Sequence, residues 1–137
     1  MARSVRWDVD QESLATPEEA AAFIDEQLAM VNPHDTHSVT LWFGPEGFKR
    51  RDMPLRVDLD PEAGAAAVRW TPEGLVAVEP GFEARDIMVC ESSDKALAAI
   101  PASLACTSVA TARRIAVDYV REDARPTGIV WRPIEDR

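Results

Sequence analysis

Cysteine, histidine and glycine are all scarce in this chain, with two, two and six residues. Cys90 and Cys106 stand apart with no CxxC pair. Isolated thiols of this kind read as small buried hydrophobes in a reducing compartment. The two histidines fall in His34-Asp35-Thr36-His37, directly after Pro33. Their spacing fits no zinc motif and no further ligands accompany them, so they read as loop residues. No glycine-rich phosphate loop occurs, neither GxGxxG nor GxxxxGK[ST], and there is no GxSxG nucleophile elbow. Long apolar runs are missing too. No stretch approaches the roughly 20 apolar residues of a membrane span. Met1–Asp8 has no apolar h-region, so no signal peptide is expected and the expected location is the cytoplasm.

Positive charge is also in short supply. Fifteen basic residues face 24 acidic ones, a net charge of −9. That excludes nucleic acid as a direct ligand, because phosphate binding needs a cationic surface. It excludes an anionic membrane on the same ground. It favours a basic protein partner. No cofactor and no metal is expected.

What is present describes one globular domain over residues 1–137. Hydrophobic residues make up 46% of the 137, and a chain of this length buries a core without disulfide or metal staples. Trp7–Val9 reads as a first strand. Thr16, Pro17 and Glu19 form a helix start, with a capping box and proline at the first helical position. Ala20, Phe23, Ile24, Leu28 and Val31 then share one face at helical period, until Asn32-Pro33 stops the helix. Asp25 and Glu26 point outward.

The period then changes to two. Val39, Leu41 and Phe43 alternate with Thr40 and Trp42 before a Gly44-Pro45-Glu46-Gly47 turn. Leu55, Val57 and Leu59 alternate with Arg56 and Asp58. Asp60–Gly64 reads as a hairpin loop, Ala65–Trp70 as the returning strand, Thr71–Gly74 as a second turn and Leu75–Val78 as a further strand. Ile87–Cys90 is a short apolar strand, and residues 91–105 read as loop with a helical turn. A second helix begins near Thr107 or Ser108, with Val109, Ala112, Ile115, Ala116, Tyr119 and Val120 on its apolar face. Arg125-Pro126 ends it, and Gly128–Trp131 adds a last strand. The expected fold is α+β: an antiparallel meander plus a C-terminal strand, with two main helices on one face of the sheet.

Chemistry-bearing patterns are few. Ser92-Ser93-Asp94-Lys95 has the form SxxK but lacks its companion motifs. Carboxylates are plentiful at Asp58, Asp60, Glu62, Glu73, Glu79, Glu83, Asp86 and Glu91, and they flank turns or alternate outward, as a solvated face does. Trp7, Trp42, Trp70 and Trp131 all fall on expected strands. Trp42 and Trp70 are expected opposite the most apolar positions of their strands, where a large aromatic is either covered or offered to a partner.

The C-terminal run Ala124-Arg125-Pro126-Thr127-Gly128-Ile129-Val130-Trp131-Arg132, following the second helix, resembles the ending of the first numbered Imm family. These are immunity proteins of bacterial polymorphic toxin systems. Leu55–Gly64 followed by Val68–Gly74 is similar to that family's central hairpin. Ala124 stands where the family usually has glycine, and Ile87–Cys90 lacks the aromatics often found there. The resemblance implies an inhibitor of a cognate toxin domain, often a nucleic-acid deaminase or nuclease, whose basic groove an acidic protein can occupy. The run itself has folding tasks: Pro126 stops a helix, Thr127 and Gly128 turn the chain, and Trp131 fills core.

On this reading the protein is no enzyme, and a monomer or weak homodimer is expected. The expected toxin-binding residues are the acids of the meander loops, Asp60, Glu62, Glu73, Glu79, Glu83 and Asp86, with Trp70 and Phe82 as anchors. Two other classes compete. One is a small enzyme using carboxylates in a cleft beside the sheet, which requires convergent acids with shifted pKa values. The other is a structural or regulatory subunit that dimerises through a strand edge.

Overall fold

The computed structural model describes residues 3–8 and 10–135. Seven strands form one antiparallel sheet: β1 (Arg3–Trp7), β2 (Asp10–Leu14), β3 (Val39–Pro45), β4 (Leu55–Asp60), β5 (Ala65–Trp70), β6 (Leu75–Val78) and β9 (Val130–Pro133). Their order is β2-β1-β3-β4-β5-β6-β9. Helices α1 (Pro17–Ala29) and α2 (Val109–Glu122) pack on one face, so the fold is α+β. β7 (Ile87–Val89) and β8 (Ala98–Ile100) make a separate two-stranded sheet.

The first helix starts as its sequence requires. Thr16 Oγ1 accepts from the Glu19 amide at 3.1 Å, and Glu19 Oε1 accepts from the Ala15 amide at 2.7 Å. Two amides that the first turn leaves unpaired are thereby satisfied. The helix ends at Ala29, short of the expected Val31. Met30 is already extended, and Met30 and Val31 are 56% and 58% exposed. The cause is Asn32. Its Oδ1 accepts from the His34 and Thr36 amides, and its Nδ2 donates to Thr36 Oγ1 and the Ser38 carbonyl. A side chain that organises a loop this fully competes with another helical turn. At α2, Ser108 Oγ caps the Thr111 amide, and Asp123 closes the helix in the left-handed region at φ 57°.

Strand alternation sorts the two sheet faces. Val5, Leu41, Phe43, Leu55, Val57, Leu59 and Val68 face the helices and meet Phe23, Ile24, Ile115 and Tyr119 in the main core. Trp70 pairs with Leu55 in register, so it lies on this face and not on the outer one expected for it. Its ring meets Tyr119 edge-on at 5.9 Å. Trp7 meets Phe23 in the same way at 4.7 Å.

The opposite face carries Thr40, Trp42, Arg56, Asp58, Ala65, Ala67 and Arg69. The β7–β8 pair covers Ala65 and Ala67 in a second, smaller core. Residues 91–105, expected as loop, therefore contain a strand. Ala98–Ile100 is too short to show an alternation. Gly44 and Pro45, expected in a turn, lie inside β3. The Met53–Pro54 segment folds down onto Gly44, where a Cβ would strike Met53 Sδ and Pro54 Cδ.

The first strand is Arg3–Trp7, not Trp7–Val9, and Val9 itself lies outside the described residues. β2 had no expectation at all. Asp10-Gln11-Glu12-Ser13 is exposed throughout, with only Leu14 buried, so the strand has no apolar alternation and is visible only as the sheet's edge. The last strand runs Val130–Pro133, two residues beyond the expected Gly128–Trp131, and forms the other edge.

Candidate functional site

Most of the meander acids singled out by sequence hold the fold together. Asp60 is 7% exposed, and its two oxygens accept from the Ala63 and Met88 amides. It closes the hairpin loop and ties β7 to β4. Glu79 Oε1 accepts from both the amide and the hydroxyl of Ser108, at 2.8 Å each. Burial opposes its charge, yet the hydrogen bonds from Ser108 and Thr111 hold its carboxyl below the ordinary range. Asp86 accepts from the Ala102 amide at 2.8 Å, and Glu62 from the His37 amide at 3.0 Å.

Phe82 packs on the second core with Arg85 over its ring at 5.4 Å. Glu73 lies at the other end of the strands and pairs with Arg125 at 2.7 Å. Trp70 is half-buried and packs against the main core. Among the described residues, Glu83 alone of the eight has a side chain with neither a bond nor a packing contact. Six of the eight gather near one end of the sheet, and their exposed carboxylates share that end with Arg85.

The C-terminal run is likewise structural. Arg125 makes the Glu73 pair, Pro126 is buried, and its carbonyl accepts from Trp131 Nε1 at 3.1 Å. His34 Nε2 bonds the Lys95 carbonyl and His37 Nδ1 the Met30 carbonyl, both loop contacts. Among the described residues no cluster of three or more His, Cys, Asp or Glu is placed to hold a metal ion. No helix among them is long and apolar enough to cross a membrane.

A buried ionic cluster lies at the centre of the sheet face away from the helices. Asp58 is fully buried and takes Thr40 Oγ1 at 2.7 Å, Arg56 Nε at 3.2 Å and Arg69 NH2 at 2.9 Å. Arg56 also pairs with Glu91. Burial works against the Arg56 charge, but Asp58 and Glu91 outweigh it and raise its pKa. Trp42 lies between Arg50 and Arg56, whose guanidinium carbons are 4.4 and 5.3 Å from its ring. The alternation of β4 put Arg56 and Asp58 on one face. Nothing in the sequence paired them with Arg69 or Glu91.

A different acidic surface forms along β2 and α1. Asp10 and Glu12 pair in register with Trp7 and Val5, which places them on the helix side of the sheet. Glu19 and Glu26 stand seven residues apart, so at about 100° per residue they share one flank of α1. Asp25, about a third of a turn away, reaches Arg113 of α2 instead. Glu19 and Glu26 thus face away from α2, toward β2. Asp10, Glu12, Glu19 and Glu26 are all exposed, and among the described residues no basic side chain pairs with any of them.

β2 also bounds the sheet. It pairs with β1 on one side only, so the backbone groups along its outer side are left open. Sequence reasoning missed this flank because β2 carries no strand pattern. The signal available was the density of acids over residues 8–26. No family model, no curated protein and no solved structure matches this chain.

Proposed function

We propose that this chain is an immunity protein. It acts by binding rather than catalysis: it seats on the basic, nucleic-acid-handling face of a cognate toxin domain and closes its active site to substrate. The observation that carries this reading is the β2–α1 flank. Four carboxylates there, Asp10, Glu12, Glu19 and Glu26, have no bonded base among the described residues, beside a strand edge with open backbone groups. By contrast, Asp58, Asp25 and Glu73 are paired internally, with Arg56 and Arg69, with Arg113 and with Arg125. A concentration of unneutralised charge of one sign speeds encounter with a partner of opposite sign and fixes its register. Such a flank complements a groove built to hold phosphates. The likeness of the C-terminal run to the Imm family points the same way.

Co-expression with the toxin domain encoded beside the gene tests the reading. Rescue of growth together with a co-purifying complex is the expected result. A folded protein that neither rescues growth nor captures that domain would refute it.

A further inference from the structure

A pocket of about 210 Å³ opens at one end of this flank, where the last turn of α1 meets Trp7, Asp8 and Asp10. It is smaller than the ~300 Å³ at which small-molecule sites begin, so it suits the head of one side chain. Gln27 lines it. The residue is 7% exposed, yet among the described residues its carboxamide has no hydrogen-bond partner. The Trp7 indole N–H and the Asp10 carboxylate, which line the same pocket, also have no partner among the described residues.

The other polar groups around the pocket are committed. The Asp8 carboxylate accepts from the Ser93 amide at 3.1 Å and from its hydroxyl, and these bonds hold its pKa low. Asn32 and Ser38 are tied into the loop after α1. Cys90 Sγ donates to the Ser92 carbonyl at 3.6 Å. Arg50, the base bonded at this end, donates to the Asp8 carbonyl and stacks on Trp42. What stays open is one amide, one indole and one carboxylate, with the exposed Met30 and Val31 at the rim.

We propose that this pocket receives the guanidinium of an arginine from a basic protein partner lying along the β2–α1 flank. The planar cation stacks on the Trp7 indole, donates to the Asp10 carboxylate and to Gln27 Oε1, and lays its methylenes against Met30 and Val31. Arginine suits this set better than lysine. Its guanidinium is flat, weakly hydrated and carries donors in several directions, whereas an ammonium is a compact, strongly hydrated point charge. The assignment deepens the immunity reading by naming the anchor, and rests on that reading only for the identity of the partner.

Titration of the full chain with N-acetyl-arginine amide, followed by ¹H–¹⁵N NMR, tests it, with the lysine and leucine amides as comparison probes. The expected result is saturable shifts at the Trp7 indole and the Gln27 carboxamide. Arginine binds in the millimolar range and about fivefold or more tighter than lysine, and leucine gives no saturation. Asp10→Asn, on an exposed strand where the fold is not at risk, weakens arginine binding by about fivefold or more, and Gln27→Met does the same. Absence of saturation at Trp7 and Gln27, equal binding of arginine and lysine, or an Asp10→Asn protein that binds arginine unchanged overturns the assignment. The arginine signature with no toxin bound would sink the immunity reading and leave the pocket standing. A bound toxin with no arginine signature would sink the pocket alone.

Discussion

Arg69 reaches across from β5 to the fully buried carboxylate of Asp58 on β4, at 2.9 Å. Arg56 shares the same carboxylate, and the Arg69 Nε is buried with no hydrogen-bond partner among the described residues. One buried anion therefore holds Arg69 and shares Arg56 with Glu91 at the centre of the sheet. Breaking such a cluster from one side leaves buried charge uncompensated, which costs about 3–5 kcal/mol. Asp58→Asn keeps the shape and removes the charge, so it is expected to lower the urea unfolding free energy by about that amount. A change below about 1 kcal/mol would mean that water already compensates the two arginines.

The ion pair that joins the helices is a contrasting case. Arg113 Nε and NH2 meet the two oxygens of Asp25 at 2.8 Å each. The Asp25 carboxyl is held below its usual range, first by the hydrogen bond from Arg113. Yet the two side chains are 38% and 58% exposed, so solvent screens the pair. A double-mutant cycle with Arg113→Ala and Asp25→Ala is expected to return a coupling of only about 0.2–1 kcal/mol. A coupling near that of the Asp58 cluster would show that the helix–helix contact depends on this pair rather than on the apolar core.

Alkaline pH is expected to find a weak point at Tyr119. Burial pushes its pKa up to about 12, with Asp123 adding to the shift and Arg3 opposing it. The unfolded tyrosine ionises near its ordinary pKa of about 10. Below that pH both states keep the proton and the contribution to stability is complete. As pH rises from about 10 to 12 only the unfolded state loses its proton, so stability falls, by at most about 2–3 kcal/mol. Tyr119→Phe removes this term. The difference in unfolding free energy between wild type and variant is expected to shift across that window in favour of the variant. A difference that stays flat would place the ordinary pKa inside the fold.

The parts of the fold legible in the sequence were those where one residue has one strong reason to be there. Thr16 and Glu19 could cap only one helix, and Asp60–Gly64 could close only one kind of hairpin. The alternation from Leu55 to Leu59 and the apolar stripe from Val109 to Val120 likewise each match a single element. Legibility failed where tertiary partners decide. Asn32 ends α1 early through four loop hydrogen bonds. Trp70 changes face because its register against Leu55 is set by the hairpin. Asp10–Leu14 becomes a strand only because β1 offers an edge. Tertiary partners also decide which of the candidate acids are engaged within the fold. An acid beside a turn looks available for a partner, but Asp60, Glu79 and Asp86 each cap a backbone amide. Two of the open carboxylates, Asp10 and Glu12, belong instead to a strand with no pattern of its own, and the other two, Glu19 and Glu26, to the flank of α1 beside it.

On the proposed immunity function, two acidic surfaces are rivals for the toxin, and association kinetics separate them. On the meander end, Glu62 and Glu83 are the exposed acids that can be reversed without removing a cap from β7 or α2, although Glu62 gives up its bond to the His37 amide. On the β2–α1 flank, Glu12 and Glu26 can be reversed with the Glu19 capping box left whole. Steering by opposite charge raises association rates by about 10–10³-fold at low salt and fades as salt is added. Glu12→Lys with Glu26→Lys is therefore expected to slow stopped-flow association with the toxin by about tenfold at low salt and to flatten its salt dependence, with little change in dissociation. Glu62→Lys with Glu83→Lys is expected to leave both rates within about twofold, since Arg85 already offsets part of that patch. The reverse outcome, slowing by the meander pair and none by the flank pair, would move the interface to the β4–β5 end of the sheet and leave the β2 edge as ordinary solvated surface.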